Sequence, residues 1–196
     1  KANIITDPNG TQFTAFSPGP EVDKATWATH LLNQPFGSVD IFVCAPFPIP
    51  LMQSALEITK ASNPNIFNLW VPGQYADSMQ ADELRIAIKA CDLLVGNTHE
   101  IDHIRRTAPG CLTGKSVIMT DGARPVRALL SDGNQRTLPT PAVSPVVDPT
   151  GCGDAFVAGL IPTLMQTFDT LDSVRWEQKI NAIVRAGIQQ AGLCLT

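Results

Sequence analysis

Short apolar runs alternate with amphipathic stretches along the middle of the chain. The apolar runs occupy residues 41–45, 66–70, 93–95 and 117–119, and stretches with helical periodicity occupy 51–60, 81–90 and 101–106. Near-continuous apolar runs are typical of strands that are buried on both sides. Strands and helices that alternate at this spacing indicate βαβ crossovers, which produce a mostly parallel sheet with helices on both faces. The pattern therefore predicts an α/β fold.

The rest of the chain follows other patterns. Residues 3–6 and 12–17 are β-branched or apolar and flank Asn9-Gly10, a pair that suits the tight turn of a hairpin. Two strands joined by an Asp-Gly turn are predicted within 125–141. Further helices are predicted at 23–32, 153–166 and 174–191.

Composition narrows the range of partners. The net charge is −4 and no block of basic residues occurs, which argues against a nucleic acid or an anionic membrane surface and favours a small molecule. No apolar run approaches the ~20 residues of a membrane span. The five cysteines are widely spaced and never form a Cys-x-x-Cys pair, which argues against a disulfide framework or a zinc knuckle. We therefore expect a cytoplasmic protein.

In a mostly parallel sheet, ligands bind where the carboxyl ends of the strands lead into loops. The loops to search are therefore 46–48, 71–74, 96–100, 120–123 and 148–154.

The segment GCLTGKS, residues 110–116, is similar to a phosphate-binding Walker A loop. That loop has one residue more between its glycines than the three found between Gly110 and Gly114. It also leads from a strand into a helix, whereas this segment leads into the strand predicted at 117–119. We interpret the segment as a surface loop.

The segment HEIDH, residues 99–103, matches the zinc-peptidase motif His-Glu-x-x-His. On a helix, His99 and His103 would share a face and could bind zinc, with Glu100 as general base. The chain has one other histidine, His30, far upstream, although a carboxylate could supply a third ligand. A zinc peptidase is kept as an alternative function, beside a solvated helix face that carries two histidines.

The overlapping segment NTHE supports another interpretation. Asn97 and Glu100 lie three positions apart after a predicted strand, so both could point into a cleft and hold a phosphate oxygen and a hydrated magnesium ion. The structural alternative is a helix cap at Asn97, with Glu100 favouring the positive end of the helix. The two interpretations are compatible.

The segment VVDPTGCGDAF, residues 146–156, places two glycines and two aspartates before an apolar helix. Gly151 and Gly153 allow a ligand to approach the backbone, and the start of the helix offers free amides and a positive dipole end. Asp154 would stand beside a bound anion as a proton acceptor. Phosphoryl transfer needs this combination, although an Asp-Pro turn before an acidic first helical turn would have the same sequence.

DPTGCGDAFVAGL, residues 148–160, closely resembles the C-terminal signature of the ribokinase-type (PfkB) family of carbohydrate and nucleoside kinases. ANIITDPNGTQFTAFSPGP and VPGQYA resemble the bacterial adenosine-kinase-like branch, and the motifs follow the family's order over nearly the whole chain. The resemblance implies a ribokinase-like three-layer α/β/α fold with a mostly parallel central sheet. Residues 21–196 would form the nucleotide-binding and catalytic core, and residues 1–20 would be a remnant of the lid hairpin.

The resemblance also implies catalytic roles. Asp154 matches the base that takes the proton from the hydroxymethyl group of the substrate. The amides of Gly151, Cys152 and Gly153 match the anion hole.

Ligand-binding roles follow in the same way. Asn97 and Glu100 match the Asn-x-x-Glu motif that governs magnesium and phosphate, and Thr120 and Gly122 match the Thr-x-Gly segment that lines the nucleotide site. Asn181 lies where a helix near the C-terminus of the family commonly offers an asparagine to the adenine end.

A monovalent-cation site is implied as well. Asp148 and the carbonyl of Thr150 match part of that site, which usually holds potassium in the relatives that have one. The expected metals are therefore Mg²⁺ at Glu100 and K⁺ at Asp148 and Thr150, with ATP as co-substrate.

The sequence departs from the family in three places. Val71 replaces an aspartate that commonly precedes PGQ, and residues 123–125 displace a glycine expected after TDG. The family's N-terminal part, with a Gly-Gly motif and an asparagine that grip the sugar, is absent from the sequence.

These observations predict an ATP-dependent phosphotransferase that acts on a primary hydroxyl of a sugar or nucleoside. The missing N-terminal grip and Val71 motivate the alternative of a non-catalytic nucleotide-binding relative that acts as a sensor or scaffold. The acceptor and the oligomeric state, including a homodimer, are left open.

Overall fold

The computed structural model describes residues 2–6, 12–16, 21–142, 149–168 and 176–195. The strands are β1 Ala2–Thr6, β2 Gln12–Phe16, β3 Ile41–Cys44, β4 Phe67–Trp70, β5 Leu93–Asn97, β6 Ser116–Asp121, β7 Arg124–Leu129 and β8 Gln135–Leu138. The α-helices are α1 Lys24–Leu32, α2 Ile49–Ser62, α3 Ala81–Ala90, α4 Thr98–Thr107, α5 Cys152–Phe168 and α6 Ile180–Cys194. Shorter 3-10 helices occupy Phe36–Ser38, Gly73–Ser78 and Glu177–Lys179.

The element order agrees with the sequence pattern. The main difference is the last helix, which was predicted from residue 174 and begins at Ile180 after a 3-10 turn. Residues 169–175 lie outside the described residues, as does the Asn9-Gly10 turn between β1 and β2.

The central sheet has six strands in the order β3-β4-β5-β6-β7-β8. The strands β3 to β6 are parallel, and β7 and β8 continue the sheet as an antiparallel hairpin. The prediction of a mostly parallel sheet is confirmed. β1 and β2 form a separate antiparallel pair, as the hairpin prediction required.

Helices cover both faces of the central sheet. Leu93, Val95 and Ile118 pack with residues of α5 and α6 on one face. Leu94 and Met119 pack with residues of α2, α3 and α4 on the other. The three-layer α/β/α arrangement follows from this alternation, because successive side chains of a strand point to opposite faces. Among the described residues, no helix is both long enough and apolar enough to span a bilayer.

The strand predicted at residues 41–45 is present as β3, but it is buried less completely than its apolar run predicts. Ile41, Phe42 and Val43 are only partly buried, whereas all four residues of β4 are buried. Within the described residues β3 has a strand neighbour on one side alone, so its side chains are covered less completely.

The direction of α5 decides where the signature segment lies. Phe168, at the C-terminal end of α5, packs against Phe67 at the start of β4, with ring centroids 5.1 Å apart. α5 has 17 residues, a length of about 25 Å, which is enough to cross the sheet along the strands. Its N-terminus, with Cys152, therefore reaches the edge formed by the carboxyl ends of the strands, here called the carboxyl edge.

α6 runs antiparallel to α5. A Cβ added at Gly159 of α5 would lie 2.9 Å from Cα of Gly187, and Cys194 contacts Thr150 beside the start of α5. At the other end, Glu177 hydrogen-bonds Ser116, the first residue of β6. α6 thus begins at the amino edge of the sheet and ends at the carboxyl edge.

Candidate functional site

Three predicted segments meet at the carboxyl edge. Asn97 ends β5 and pairs in register with Thr120 near the end of β6. Asn97 lies two residues after Val95, and Thr120 lies two residues after Ile118, so each points to the same face of the sheet as that apolar residue. This is the face covered by α5. The start of α5 reaches the same edge on the same face. The fold therefore brings the Asn97 segment, the Thr120 segment and the residue 149–154 turn to one region.

Asn97 and Glu100 form a reciprocal cap at the start of α4. The Asn97 side chain accepts from the Glu100 amide at 2.9 Å, and Glu100 accepts from the Asn97 amide at 3.0 Å and from Asn97 Nδ2 at 2.8 Å. A Cβ at Gly96 would lie 2.9 Å from Glu100 Oε2, so glycine at this position leaves room for the carboxylate over the end of β5. The capping interpretation is confirmed, and it fixes the direction of the carboxylate.

Glu100 is a half-buried carboxylate. Burial raises the pKa of the Glu100 carboxyl above its ordinary value, and the hydrogen bond from the Asn97 amide opposes that rise. The neighbouring Asp77 carboxylate raises the pKa further. A desolvated anion in this position is stabilised by a nearby cation, because an opposite charge favours the ionised form.

The TDG segment forms the turn between β6 and β7. Gly122 has a φ of 57°, a conformation that favours glycine, and the pairing of β6 with β7 shifts between Met119 and Asp121. Arg124 donates to both carboxylate oxygens of Asp121, at 2.7 and 2.6 Å. These hydrogen bonds lower the pKa of the Asp121 carboxyl. The ion pair closes the turn beside Thr120.

The turn before α5 is built around Gly151, which has a φ of 83°. Gly151, Gly153 and Asp154 are exposed, and Asp154 is the third residue of α5. The first amides of a helix have no partner within that helix, so this turn offers donors to an anion.

The Cys152 amide, which the sequence assigned to an anion hole, already has a hydrogen-bond partner within the protein. It donates to the carbonyl of Pro149 at 3.2 Å, so the protein itself engages one of the three amides assigned to the anion hole. The amide of Ala155 donates to the carbonyl of Gly151 at 2.8 Å and closes the first turn of α5. An anion hole at this turn would then depend on the amides of Gly151 and Gly153, because the turn uses the amide of Cys152 to hold its own shape.

The Thr150 carbonyl accepts a hydrogen bond from Cys194 Sγ at 3.6 Å. Asp148, the other residue assigned to the monovalent-cation site, lies outside the described residues.

The structure does not bring Asn181 to this region. Asn181 is exposed in the first turn of α6, four residues after Glu177 and 13 residues before Cys194. That distance along the helix is about 20 Å, and it places Asn181 near the amino edge of the sheet. The assignment of Asn181 to the adenine end is corrected accordingly, because α6 begins at the edge opposite the other candidate residues.

The two histidines of HEIDH lie on α4 and face one carboxylate. His99 Nε2 is 3.2 Å from Asp77 Oδ2, and His103 Nδ1 is 3.7 Å from Asp77 Oδ1. Asp77 belongs to the 3-10 helix that follows β4, so these contacts tie that helix to α4. In the part of the chain that the structure describes, no group of three or more His, Cys, Asp or Glu residues is arranged to hold a metal ion.

A cavity of about 840 Å³ opens at the amino edge, opposite the candidate site, and is lined partly by Lys60, Lys115, Trp176 and Glu177. Lys115 belongs to the Walker-like segment, and its Nζ donates to the carbonyls of Lys89 at 3.2 Å and Cys91 at 3.0 Å. The segment lies between α4 and β6, which confirms the loop interpretation.

Sequence reasoning missed Arg127. This half-buried residue of β7 lies with Nη2 3.3 Å from the hydroxyl of Thr98, directly after Asn97. The available signal was a cation between two apolar residues of a predicted strand, Val126 and Ala128.

Comparisons with known proteins identify relatives of this chain. A nucleoside kinase from Methanothermobacter thermautotrophicus is 27% identical over 129 residues, which cover 58% of this chain and 38% of that protein. The structure of Burkholderia thailandensis nucleoside kinase in complex with inosine matches with a TM-score of 0.77 and 23% identity over 97% of this chain and 60% of that one. A Methanocaldococcus jannaschii nucleoside kinase, described as an archaeal member of the ribokinase family, matches with a TM-score of 0.70 and 20% identity.

The solved structures show that the ribokinase-like fold is shared. The chain spans less than two thirds of each of these relatives; it covers 60% of the Methanocaldococcus protein. The family described as pfkB family carbohydrate kinase matches residues 1–195. The chain therefore belongs to the pfkB family of carbohydrate kinases.

Proposed function

We propose that this chain carries the phosphoryl-transfer site of a kinase that moves the γ-phosphoryl group of ATP to a primary hydroxyl of a nucleoside or sugar. The observation that carries the proposal is the meeting of the Asn97–Glu100 cap, the Thr120 turn and the start of α5 at one edge of the sheet. The nucleoside kinases among the relatives, one of them solved with inosine, favour nucleosides as the first acceptors to test.

The start of α5 would hold the phosphoryl group. Amides of Gly151 and Gly153 and the positive end of a 17-residue helix stabilise negative charge on the phosphoryl oxygens as the group moves. Gly151 tolerates the left-handed backbone that directs the turn. Asp154, exposed one residue after Gly153, would accept the proton from the attacking hydroxyl as the oxygen–phosphorus bond forms and the bond to ADP breaks.

Glu100 and Asn97 would hold hydrated Mg²⁺ beside the nucleotide phosphates. Hard oxygen ligands suit this ion, and a half-buried carboxylate whose pKa is raised by burial gains from a neighbouring cation. When bound, the ion neutralises charge on the phosphates. Thr120 and Gly122 would line the nucleotide, and the Thr150 carbonyl with Asp148 would hold K⁺ if this chain uses one.

The proposal is tested by phosphotransfer from ATP to inosine, adenosine and ribose, with product identified by mass spectrometry. A phosphorylated primary hydroxyl on one of these acceptors is the expected result. ATP binding measured by calorimetry, without transfer to any acceptor, would favour the non-catalytic sensor. Absence of ATP binding would contradict both the kinase and the sensor. Stoichiometric zinc that is lost when His99 and His103 are replaced would support the zinc peptidase instead.

The raised pKa of Glu100 gives a pH-dependent prediction. The folded protein binds a proton at Glu100 more tightly than the unfolded chain, so ionised Glu100 costs stability above its raised pKa, and this cost disappears as pH falls through that pKa toward the ordinary value of 4.5. The free energy of unfolding of wild type should therefore rise relative to Glu100→Gln over that window. Denaturant unfolding of both proteins between pH 4 and pH 8 measures the difference in their free energies of unfolding. A difference that does not change with pH would contradict the raised pKa of Glu100.

Addition of Mg²⁺ distinguishes a metal-binding role of Glu100 from its role as a helix cap. Mg²⁺ with ADP should stabilise the wild-type protein more than Glu100→Gln. Glu83→Gln alters the equivalent reciprocal cap at the start of α3 and is the matched control, which should respond to Mg²⁺ and ADP as wild type does.

A further inference from the structure

Arg127 brings a positive charge to the carboxyl edge of the sheet. It pairs with Met119 across β6 and β7, and Met119 is buried on the face covered by α4. Directly paired residues of neighbouring strands point to the same face, so the Arg127 side chain also extends along that face. It reaches α4, where Nη2 lies 3.3 Å from Thr98 Oγ1.

Thr98 connects this guanidinium to the candidate site. Its hydroxyl donates to the carbonyl of Thr120 at 3.3 Å and lies one residue from Asn97. The three residues Arg127, Thr98 and Thr120 thus link the ends of β5 and β6. The guanidinium lies beside the main chain of both segments assigned to nucleotide and magnesium, on the α4 side of the sheet.

Acidic side chains at the carboxyl edge would repel the negative charge of a bound nucleotide. Glu100, Asp121 and Asp154 are acidic, and ATP adds further negative charge. Arg124 donates to both oxygens of Asp121, at 2.7 and 2.6 Å, so its planar fork is used within the turn. Among the described residues, no carboxylate oxygen lies within 4 Å of the Arg127 guanidinium, and its hydrogen-bond partner Thr98 is a neutral hydroxyl. Its charge acts on Asp121 from a longer range and helps to lower the pKa of that carboxyl.

The geometry of a guanidinium suits the binding of a nucleotide phosphate. Arginine has five N–H donors in a fixed fork that matches two oxygens of a phosphate, and such charge-assisted pairs are roughly twice as strong as neutral hydrogen bonds. A half-buried position strengthens the interaction because less water screens it.

From this geometry we infer that Arg127 is a nucleotide-binding residue that contacts a phosphate oxygen of ATP beside the Asn97–Glu100 cap. The inference rests on the proposed function, since it names a further residue of the same site. It goes beyond the motif residues, because Arg127 lies on β7, outside each of them.

The test is ATP·Mg binding by calorimetry together with kinetics on Arg127→Met, which keeps the apolar stem and removes the charge. ATP should bind about 10- to 100-fold more weakly, the range expected for a lost hydrogen bond to a charged group. KM for ATP should rise, while KM for the acceptor and kcat at saturating ATP stay near wild type. Arg127→Lys keeps the charge without the fork and should fall between the two proteins.

Arg136→Met is the matched control, because it makes the same change at an exposed arginine on β8. It should bind ATP as wild type does. Thermal unfolding of every variant separates lost binding from lost structure, and Arg127→Lys provides the test if Arg127→Met does not fold. Unchanged ATP affinity in a folded Arg127 variant would overturn this inference alone, whereas a wild-type protein that binds no ATP would overturn the proposed function with it.

Discussion

Replacing Asp154 with asparagine should lower turnover by about 10²- to 10⁴-fold, the range that a positioned general base contributes. ATP affinity should stay nearly unchanged, because the lost interaction is made mainly in the transition state. Asp154 is exposed in the first turn of α5, so the neutral isostere causes no burial of an unpaired polar group. Steady-state kinetics and calorimetry with ATP measure the two effects separately.

The control for Asp154→Asn is Asp132→Asn. Asp132 is an exposed carboxylate in the β7–β8 turn, where it accepts from the amide of Asn134 at 2.8 Å. That turn lies at the amino edge, so turnover should stay at the wild-type level. Near-normal turnover in Asp154→Asn would remove Asp154 from the mechanism.

Replacing Gly159 with alanine should lower the free energy of unfolding by about 1 to 3 kcal/mol, the usual cost of overpacking. The added Cβ would lie 2.6 Å from the Ala186 carbonyl oxygen and 2.9 Å from Gly187 Cα, both backbone atoms of α6. Backbone cannot rotate away as a side chain can, so the two helices must separate. Separation also moves the start of α5, and turnover should fall with stability.

Gly192→Ala is the matched control on α6. A Cβ there meets no atom within 4 Å, so the change should leave stability unchanged or raise it by up to about 1 kcal/mol through helix propensity. Thermal and denaturant unfolding measure both variants. Equal stability of Gly159→Ala and Gly192→Ala would show that the α5–α6 contact is looser than the structure indicates.

The fold could be predicted from the sequence wherever local pattern and tertiary position agree. α3 occupies residues 81–90, the range that its periodicity predicts, because its apolar face packs against the sheet and a reciprocal cap fixes its start. β3 shows the limit of the pattern. Its apolar run resembles that of β4, but burial depends on how many strands lie beside it, and no single run contains that information.

The candidate site could be predicted in part. Asn97, Glu100, Thr120 and the turn before α5 belong to continuous motifs, and parallel-strand topology was enough to place them at one edge. Asn181 was misplaced because its assignment depended on the direction and starting point of α6, which the sequence does not specify. The internal hydrogen bond of the Cys152 amide was likewise a matter of turn geometry.

Arg127 could not be identified from the sequence, because its position depends on strand pairing. Its contact with Thr98 joins residues 29 positions apart in the chain, and it depends on the β6–β7 register. A lone arginine in a strand carries no motif, so its position beside the cap becomes visible only when the strands are paired.

The most direct test of the account is a crystal structure of the protein with Mg²⁺ and a non-hydrolysable ATP analogue. The γ-phosphate oxygens should lie within hydrogen-bond distance of the Gly151 and Gly153 amides, with Asp154 facing the terminal phosphate and the metal beside Glu100. A nucleotide bound in the amino-edge cavity near Lys60 and Lys115, or a terminal phosphate away from the start of α5, would contradict it.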